Sequence, residues 1–191
     1  GATDYLIKPV APERLMRALR AATRVEAPRN ELQPLTEKMP AVLDFDGMIG
    51  TDPVFRIALA RAAKAARAHS HVLIEGESGT GKEMLLRAIH ATSPRARGPF
   101  RLVNVAGVPV NSIESALFGH EKGAFAGAFE SQMGALQHCD TGTLILDEID
   151  RLSADQQARL AATLKDGIVR PIGATHGFRI DTRLLSASNR L

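Results

Sequence analysis

An α/β fold, with a parallel sheet flanked by helices, follows from three features of the sequence. Short apolar segments alternate with helical stretches from residue 47 onward, the pattern of a parallel sheet covered on both faces. Two of those segments, Val72-Leu73-Ile74 and Leu144-Ile145-Leu146, are apolar at every position, as buried strands are. A glycine-rich loop, Gly76-Glu77-Ser78-Gly79-Thr80-Gly81-Lys82, follows the first of them and opens a helix.

Taken in order, the chain reads as three zones. Residues 1–25 hold a short apolar segment, Tyr5-Leu6-Ile7, then Lys8-Pro9, then a helix opened by Pro12. Leu15, Ala18, Leu19 and Ala22 share one face of that helix, with Arg14, Arg17, Arg20 and Arg24 solvated on another. Residues 26–46, with Pro28, Pro34 and Pro40 and little apolar periodicity, read as a linker. From 47 to 191 the pattern predicts a helix near 53–68, a strand at 72–74, a helix at 82–90 and a strand at 101–105. A helix near 111–117 leads into a glycine-rich stretch at 119–128. A strand at 143–147, a helix at 153–165, a hairpin at 169–180 and a strand at 183–188 complete the series.

Composition bounds the function. The 191 residues are 45% hydrophobic and 24% charged, which describes a globular domain, and no apolar run is long enough to span a bilayer. Aromatic residues make up 4% and Trp is lacking, so Ala, Leu, Ile and Val must build the core. Of 24 basic residues 18 are Arg, scattered along the chain, and a net charge of +3 does not mark a nucleic-acid surface. One cysteine, Cys139, forms no internal disulfide, in keeping with a reducing cytoplasm. The chain begins at Gly1 without Met, which suggests a piece of a longer protein.

The chemistry is concentrated in two places. In the order strand, loop, helix, the 76–82 loop is a phosphate cradle: glycines let successive N–H groups curl round the phosphates, and the helix N-terminus adds its positive end. Lys82 supplies a point charge to the terminal phosphates of ATP. Glu83 stands where a magnesium-binding Ser or Thr is usual, and its carboxylate can take Mg²⁺ directly or through water. The second place is Leu144-Ile145-Leu146-Asp147-Glu148, an apolar strand ending in two acids at the crevice where ligands of parallel sheets bind. Such acids can be a solvated edge or a helix cap. Beside the loop they read as a magnesium ligand, Asp147, and a general base for the attacking water, Glu148.

The run Val72-Leu73-Ile74-Glu75-Gly-Glu-Ser-Gly-Thr-Gly-Lys-Glu83 resembles the opening of the AAA+ domain of bacterial enhancer-binding proteins, the sigma-54-dependent transcription activators. The resemblance runs from Ile49-Gly50 to Asn189-Arg190. Its most specific block is Glu114-Ser-Ala-Leu-Phe-Gly-His-Glu-Lys-Gly123-Ala124-Phe125-Ala126-Gly127-Ala128, with further blocks at 87–90, 98–100, 141–143 and 183–189. It implies a P-loop AAA+ core that uses ATP, ADP and Mg²⁺ and self-associates into a ring. Its loop of residues 123–128 would press on the sigma-54 RNA polymerase holoenzyme. It also implies that Ile49 and Gly50 lie beside the adenine, that Asn104 pairs with Glu148, and that Asn189 senses the γ-phosphate. From the residues themselves, Asn104 and Asn189 read equally well as turn formers.

Residues Gly1 to Pro9 resemble the last strand of a response-regulator receiver domain, with Tyr5 its aromatic switch and Lys8 its contact to the acyl phosphate. A sensor kinase is then an implied partner, and promoter DNA would be bound by a further domain. The family's arginine fingers, helical lid and DNA-binding domain would follow residue 191, so residues 1–191 alone should bind nucleotide better than they hydrolyse it. One departure is chemical: Ala126 stands where the family carries Thr, removing a hydroxyl at the loop tip. It favours a second reading, a nucleotide-binding regulator that does not engage sigma-54.

Overall fold

Four parallel strands form the sheet, in the order β1, β8, β5, β2, in a computed structural model that describes Phe45, Met48 and residues 50–189. The receiver-like segment at 1–25, Ile49, Arg190 and all of the linker save Phe45 lie outside the described residues. The strands are β1 (Val72–Glu75), β2 (Phe100–Asn104), β5 (Thr143–Asp147) and β8 (Arg183–Ser188). Strand β8 is buried at all six positions and β5 at four of five, whereas β1 and β2 hold only half-buried and exposed positions. The continuous apolar runs therefore occupy the centre.

Helices cover both faces. On one, α1 (Pro53–Arg67) and α2 (Lys82–Ala91) bring Ala62, Ala66, Leu86 and Ile89 onto Ile145, Leu185 and Ala187. On the other, α3 (Ile113–Phe118), α4 (Ala135–His138) and α5 (Ala154–Asp166) bring Leu117, Phe118, Leu136 and Leu160 onto Leu144, Leu146 and Leu184. Alternate residues of the central strands thus serve opposite cores, as the pleat demands. Burying a Leu or Ile at each position contributes roughly 2 kcal/mol.

Local signals fix the helix ends. Asp52 caps α1 through bonds from the N–H groups of Val54 and Phe55, with Pro53 at the first helical position. Ser153 and Gln156 form a capping box on α5, which ends at Gly167 in the left-handed conformation. The C-terminus of α1 is held by Arg183, 1% exposed, whose guanidinium donates to the carbonyls of Ala65, Ala66 and Ser70.

Two small hairpins leave the sheet. One pairs β3 (Gly119–His120) with β4 (Gln132–Met133), and the other pairs β6 (Ile168–Val169) with β7 (Phe178–Arg179). They are joined where Glu121 N–H donates to Ile172 O and Ile172 N–H to Gly119 O, both at 2.9 Å. At the base of the first, a Cβ on Gly134 would fall 2.3 Å from the nitrogen of Gly119, so no side chain fits there.

Two expectations shift, and one short helix is added. The strand placed at 101–105 is Phe100–Asn104, because Val105 begins a 3-10 turn capped by Asn104. The helix placed at 111–117 begins as a 3-10 turn, Val110–Ser112, and becomes α-helical at Ile113. Helix α4 has four residues, too few for a periodicity to show.

Candidate nucleotide-binding site

The glycine-rich loop leaves the carboxyl end of β1 and is held against β8, where Gly76 N–H donates to Ser188 O at 3.3 Å. Gly79 and Gly81 both take φ of 82°, a region that residues with a Cβ rarely adopt. Gly81 is the N-cap of α2 and brings no side chain to its first turn, which leaves those N–H groups to an anion. Lys82 is 8% exposed, and its ammonium donates to the carbonyls of Gly76 at 2.9 Å and Glu77 at 2.6 Å. The Thr80 hydroxyl also donates to Glu77 O, at 2.8 Å. Glu77, Ser78, Gly79 and Thr80 remain exposed at the crest of the loop.

The acid pair ends β5, with Asp147 level with Asn104 of β2. Asp147 Oδ1 accepts the Glu148 N–H at 2.9 Å. Burial, joined by the charges of Glu83 and Glu148, pushes the Asp147 carboxyl above its ordinary range; the Glu148 N–H and Lys82 pull the other way. Those couplings bring the loop lysine and three carboxylates into one neighbourhood. Glu148 adopts left-handed backbone angles (φ 54°, ψ 46°), a conformation uncommon for a residue with a side chain. Its carboxylate accepts from Arg151 Nε at 3.3 Å.

Asn104 behaves as a turn former. Its side-chain oxygen accepts from the N–H groups of Ala106 and Gly107, and the Glu148 carboxylate has Arg151 rather than Asn104 as its hydrogen-bond partner. The pairing implied by resemblance is therefore not formed here. Asn189 closes β8, and its N–H donates to Asp150 Oδ1 at 3.1 Å, tying the strand end to the turn after the acid pair. Gly50 packs so tightly on Phe55 that a Cβ would meet the ring at 2.2 Å.

Glu83, in the first turn of α2, pairs with Arg87 at 2.8 Å. Among the described residues no three His, Cys, Asp or Glu side chains converge as a metal cage. Two carboxylates, Glu83 and Asp147, suit Mg²⁺, which takes one or two from protein and completes its octahedron with phosphate and water. The residues present fit a magnesium nucleotide.

A second concavity, of about 160 Å³, is lined by His69, His71, Arg95 and Arg183. It suits no anion, because both guanidiniums are occupied: Arg183 on three carbonyls, Arg95 on the Asp181 carboxylate at 2.7 and 2.8 Å.

The loop of residues 123–128 forms the tip of the first hairpin. Gly123 N–H donates to Ala128 O at 2.8 Å and Ala128 N–H to Phe125 O at 3.0 Å, so the tip folds on itself. The Phe125 ring lies tilted 4.9 Å from that of His120, whose Nδ1 is 2.6 Å from Ser115 Oγ. Phe125 is 43% exposed, Ala124 half-buried, Ala128 buried, and Ala126 and Gly127 open to solvent.

A parallel sheet with a phosphate loop after its first strand and an acid pair after a strand one place removed from it, across β8, defines a P-loop nucleotide-binding domain. The Sigma-54 interaction domain family matches residues 48–191, and the chain belongs to that family, a branch of the AAA+ ATPases. The response regulator protein FleR of Pseudomonas aeruginosa is 40% identical over 190 residues, covering 100% of this chain and 37% of FleR. The regulatory protein AtoC of Escherichia coli is 38% identical over 190 residues, with 100% of this chain and 41% of AtoC covered. Among solved structures, NtrX from Brucella abortus in complex with ADP superposes with a TM-score of 0.68 at 30% identity, covering 100% of this chain and 41% of that one. NtrX in complex with ATP gives the same TM-score at 29% identity, over 100% of this chain and 39% of that one. The chain thus spans about two fifths of the length of these relatives. No described helix is long and apolar enough to cross a membrane.

Residues that the sequence reading passed over stand close to those it chose. Asp150 and Arg151 lie just beyond the acid pair, after Ile149, and that proximity could have flagged them. Arg183 could have been found as a lone charge opening an apolar strand.

Proposed function

We infer that this chain is the ATP-binding AAA+ domain of a two-component response regulator that activates sigma-54-dependent transcription by hydrolysing ATP. The observation that carries this reading is the buried Lys82 ammonium beside Asp147, Glu83 and Glu148 at the mouth of a glycine loop. Phosphate oxygens would replace the carbonyls of Gly76 and Glu77 as partners of Lys82, with the loop N–H groups and the α2 N-terminus sharing their charge. Asp147 and Glu83 would hold the magnesium ion, which offsets phosphate charge. Glu148 would take a proton from the attacking water. Asn189 and Asn104 border the same crevice, and Ile49 and Gly50 would flank the base.

Residues 47–191 would form this domain, 1–25 the end of a receiver addressed by a sensor kinase, and 26–46 the linker. The whole protein would work as a cytoplasmic ring and reach DNA through another domain. The hairpin tip at 123–128 would meet the sigma-54 holoenzyme through Phe125, with Ala126 contributing a methyl where Thr would add a hydroxyl.

The test uses the whole protein, native and Ala126→Thr, mixed with sigma-54 and an ATP transition-state mimic. Stable trapping of sigma-54 by the native protein is the expected result. Trapping by Ala126→Thr alone would favour the nucleotide-binding regulator that does not engage sigma-54. Trapping by neither would remove sigma-54 from the reading.

A further inference from the structure

We propose that Arg159 is a positioning residue through which helix α5 hands movements of the turn after the acid pair to both hairpins; this rests on the reading of the glycine loop and acid pair as an ATP site.

Helix α5 is tied to that turn. Gln157 Nε2 donates to Leu152 O at 2.9 Å, and the capping box of Ser153 and Gln156 closes the helix start directly behind it. Farther along α5, the Arg159 guanidinium closes on two other elements. Nη1 donates to Glu114 Oε2 at 2.7 Å, and Nη2 donates to Arg170 O at 2.8 Å. Its Cζ stands 4.2 Å from the centre of the Phe118 ring. Glu114 and Phe118 belong to α3, which runs straight into β3 of the first hairpin. Arg170 follows β6 of the second hairpin, just ahead of Ile172. One side chain on α5 thus holds the roots of both hairpins.

Above their roots the hairpins form one body. Ile172 bonds to Gly119 and Glu121, and a Cβ on Gly173 would fall 2.8 Å from the Cβ of Ala124. What displaces the roots therefore displaces the tip at 123–128. Apolar packing of α5, through Leu160, is non-directional and fixes spacing more than angle. A planar guanidinium with two acceptors and a ring against its face fixes orientation as well. A lysine ammonium has no such fork, so it would keep the charge and lose the angle.

The test is amide hydrogen exchange in the whole protein, native and as Arg159→Ala, Arg159→Lys and Glu114→Gln, with and without Mg²⁺ and an ATP transition-state mimic. In the native protein the mimic should change exchange at 76–83, 119–128 and 168–179 by about fivefold or more, the lower end of coupling between sites. In Arg159→Ala the change at 76–83 should persist, while that at the two hairpins shrinks below about twofold. Arg159→Lys and Glu114→Gln each keep part of the clamp and should fall between; they decide the matter if Arg159→Ala does not fold. A merely structural Arg159 would shift hairpin exchange equally with and without the mimic and leave the response intact. That result, or native hairpins that ignore the mimic while 76–83 responds, overturns the proposal and leaves the ATP site standing. No response at 76–83 in the native protein overturns the ATP site, and this proposal with it.

Discussion

The Lys82 ammonium lies 2.6 Å from the carbonyl oxygen of Glu77, its side chain folding back over the loop it belongs to. A buried ammonium must have acceptors, and in this loop the backbone provides them until phosphate does. Lys82→Ala should therefore act twice. ATP affinity should fall at least tenfold, as a phosphate loses its main counter-charge. The loop itself should loosen, visible as faster amide exchange at 76–81 without nucleotide. Calorimetry returning the native affinity would remove Lys82 from the site.

Asp147 should make the protein pH-sensitive in a defined direction. Burial raises its folded pKa above the ordinary 3.8, so the unfolded chain gives up this proton first as pH rises. The resulting loss of stability sets in above about the ordinary value and is complete above the raised one. Asp147→Asn should consequently raise Tm at neutral pH without metal, and the difference should vanish as pH falls below the ordinary value. Magnesium and ATP should reverse the sign, because the charge then has a partner. Thermal scans across pH, with and without magnesium nucleotide, read both effects; a metal-free variant less stable than native at neutral pH would contradict the account.

Arg183 should matter for folding rather than for chemistry. Arg183→Met keeps the bulk but strands three carbonyls, those of Ala65 and Ala66 at the end of α1 and of Ser70 beyond it. Leaving one buried and two partly buried acceptors without their donors should cost about 3 kcal/mol. Urea unfolding measures this, and a loss below about 1 kcal/mol would mean that water satisfies those groups.

Cys139 should be chemically silent. Its thiol is 1% exposed, and burial pushes its pKa up to about 11, so almost no thiolate exists near neutrality. Iodoacetamide at mildly alkaline pH should label the unfolded protein in urea and leave the native one unmodified. Rapid labelling of the native protein would show that the face carrying α4 opens.

The strands that the sequence disclosed best are those it buried most fully: 143–147 and 183–188 stand where the apolar runs place them. Edge strands carry a weaker signal. The end of β2 was misplaced by one residue because Asn104 stops the strand through a bond made after it, which apolar pattern does not encode. The glycine loop and the acid pair were legible because glycine, lysine and carboxylate have few substitutes in their roles. The partner of Glu148 was not, since it depends on a left-handed backbone at a residue that rarely adopts one. The link from Asp150 to Asn189 was hidden for another reason: it joins segments far apart along the chain.

Strand β1 has its sheet partner in β8, with Ser186 Oγ bonded to Val72 O across 114 positions of sequence. During synthesis, the first strand therefore emerges long before anything it can pair with exists. Its phosphate loop cannot reach its final shape earlier, because Gly76 is anchored to Ser188. Such long-range closure slows folding and leaves apolar segments uncovered meanwhile. Nucleotide binding should accordingly be among the last properties the nascent chain acquires. Gain of ATP binding during refolding would then time the docking of β8, and a chaperone that shields β1 and β5 until then would raise the yield.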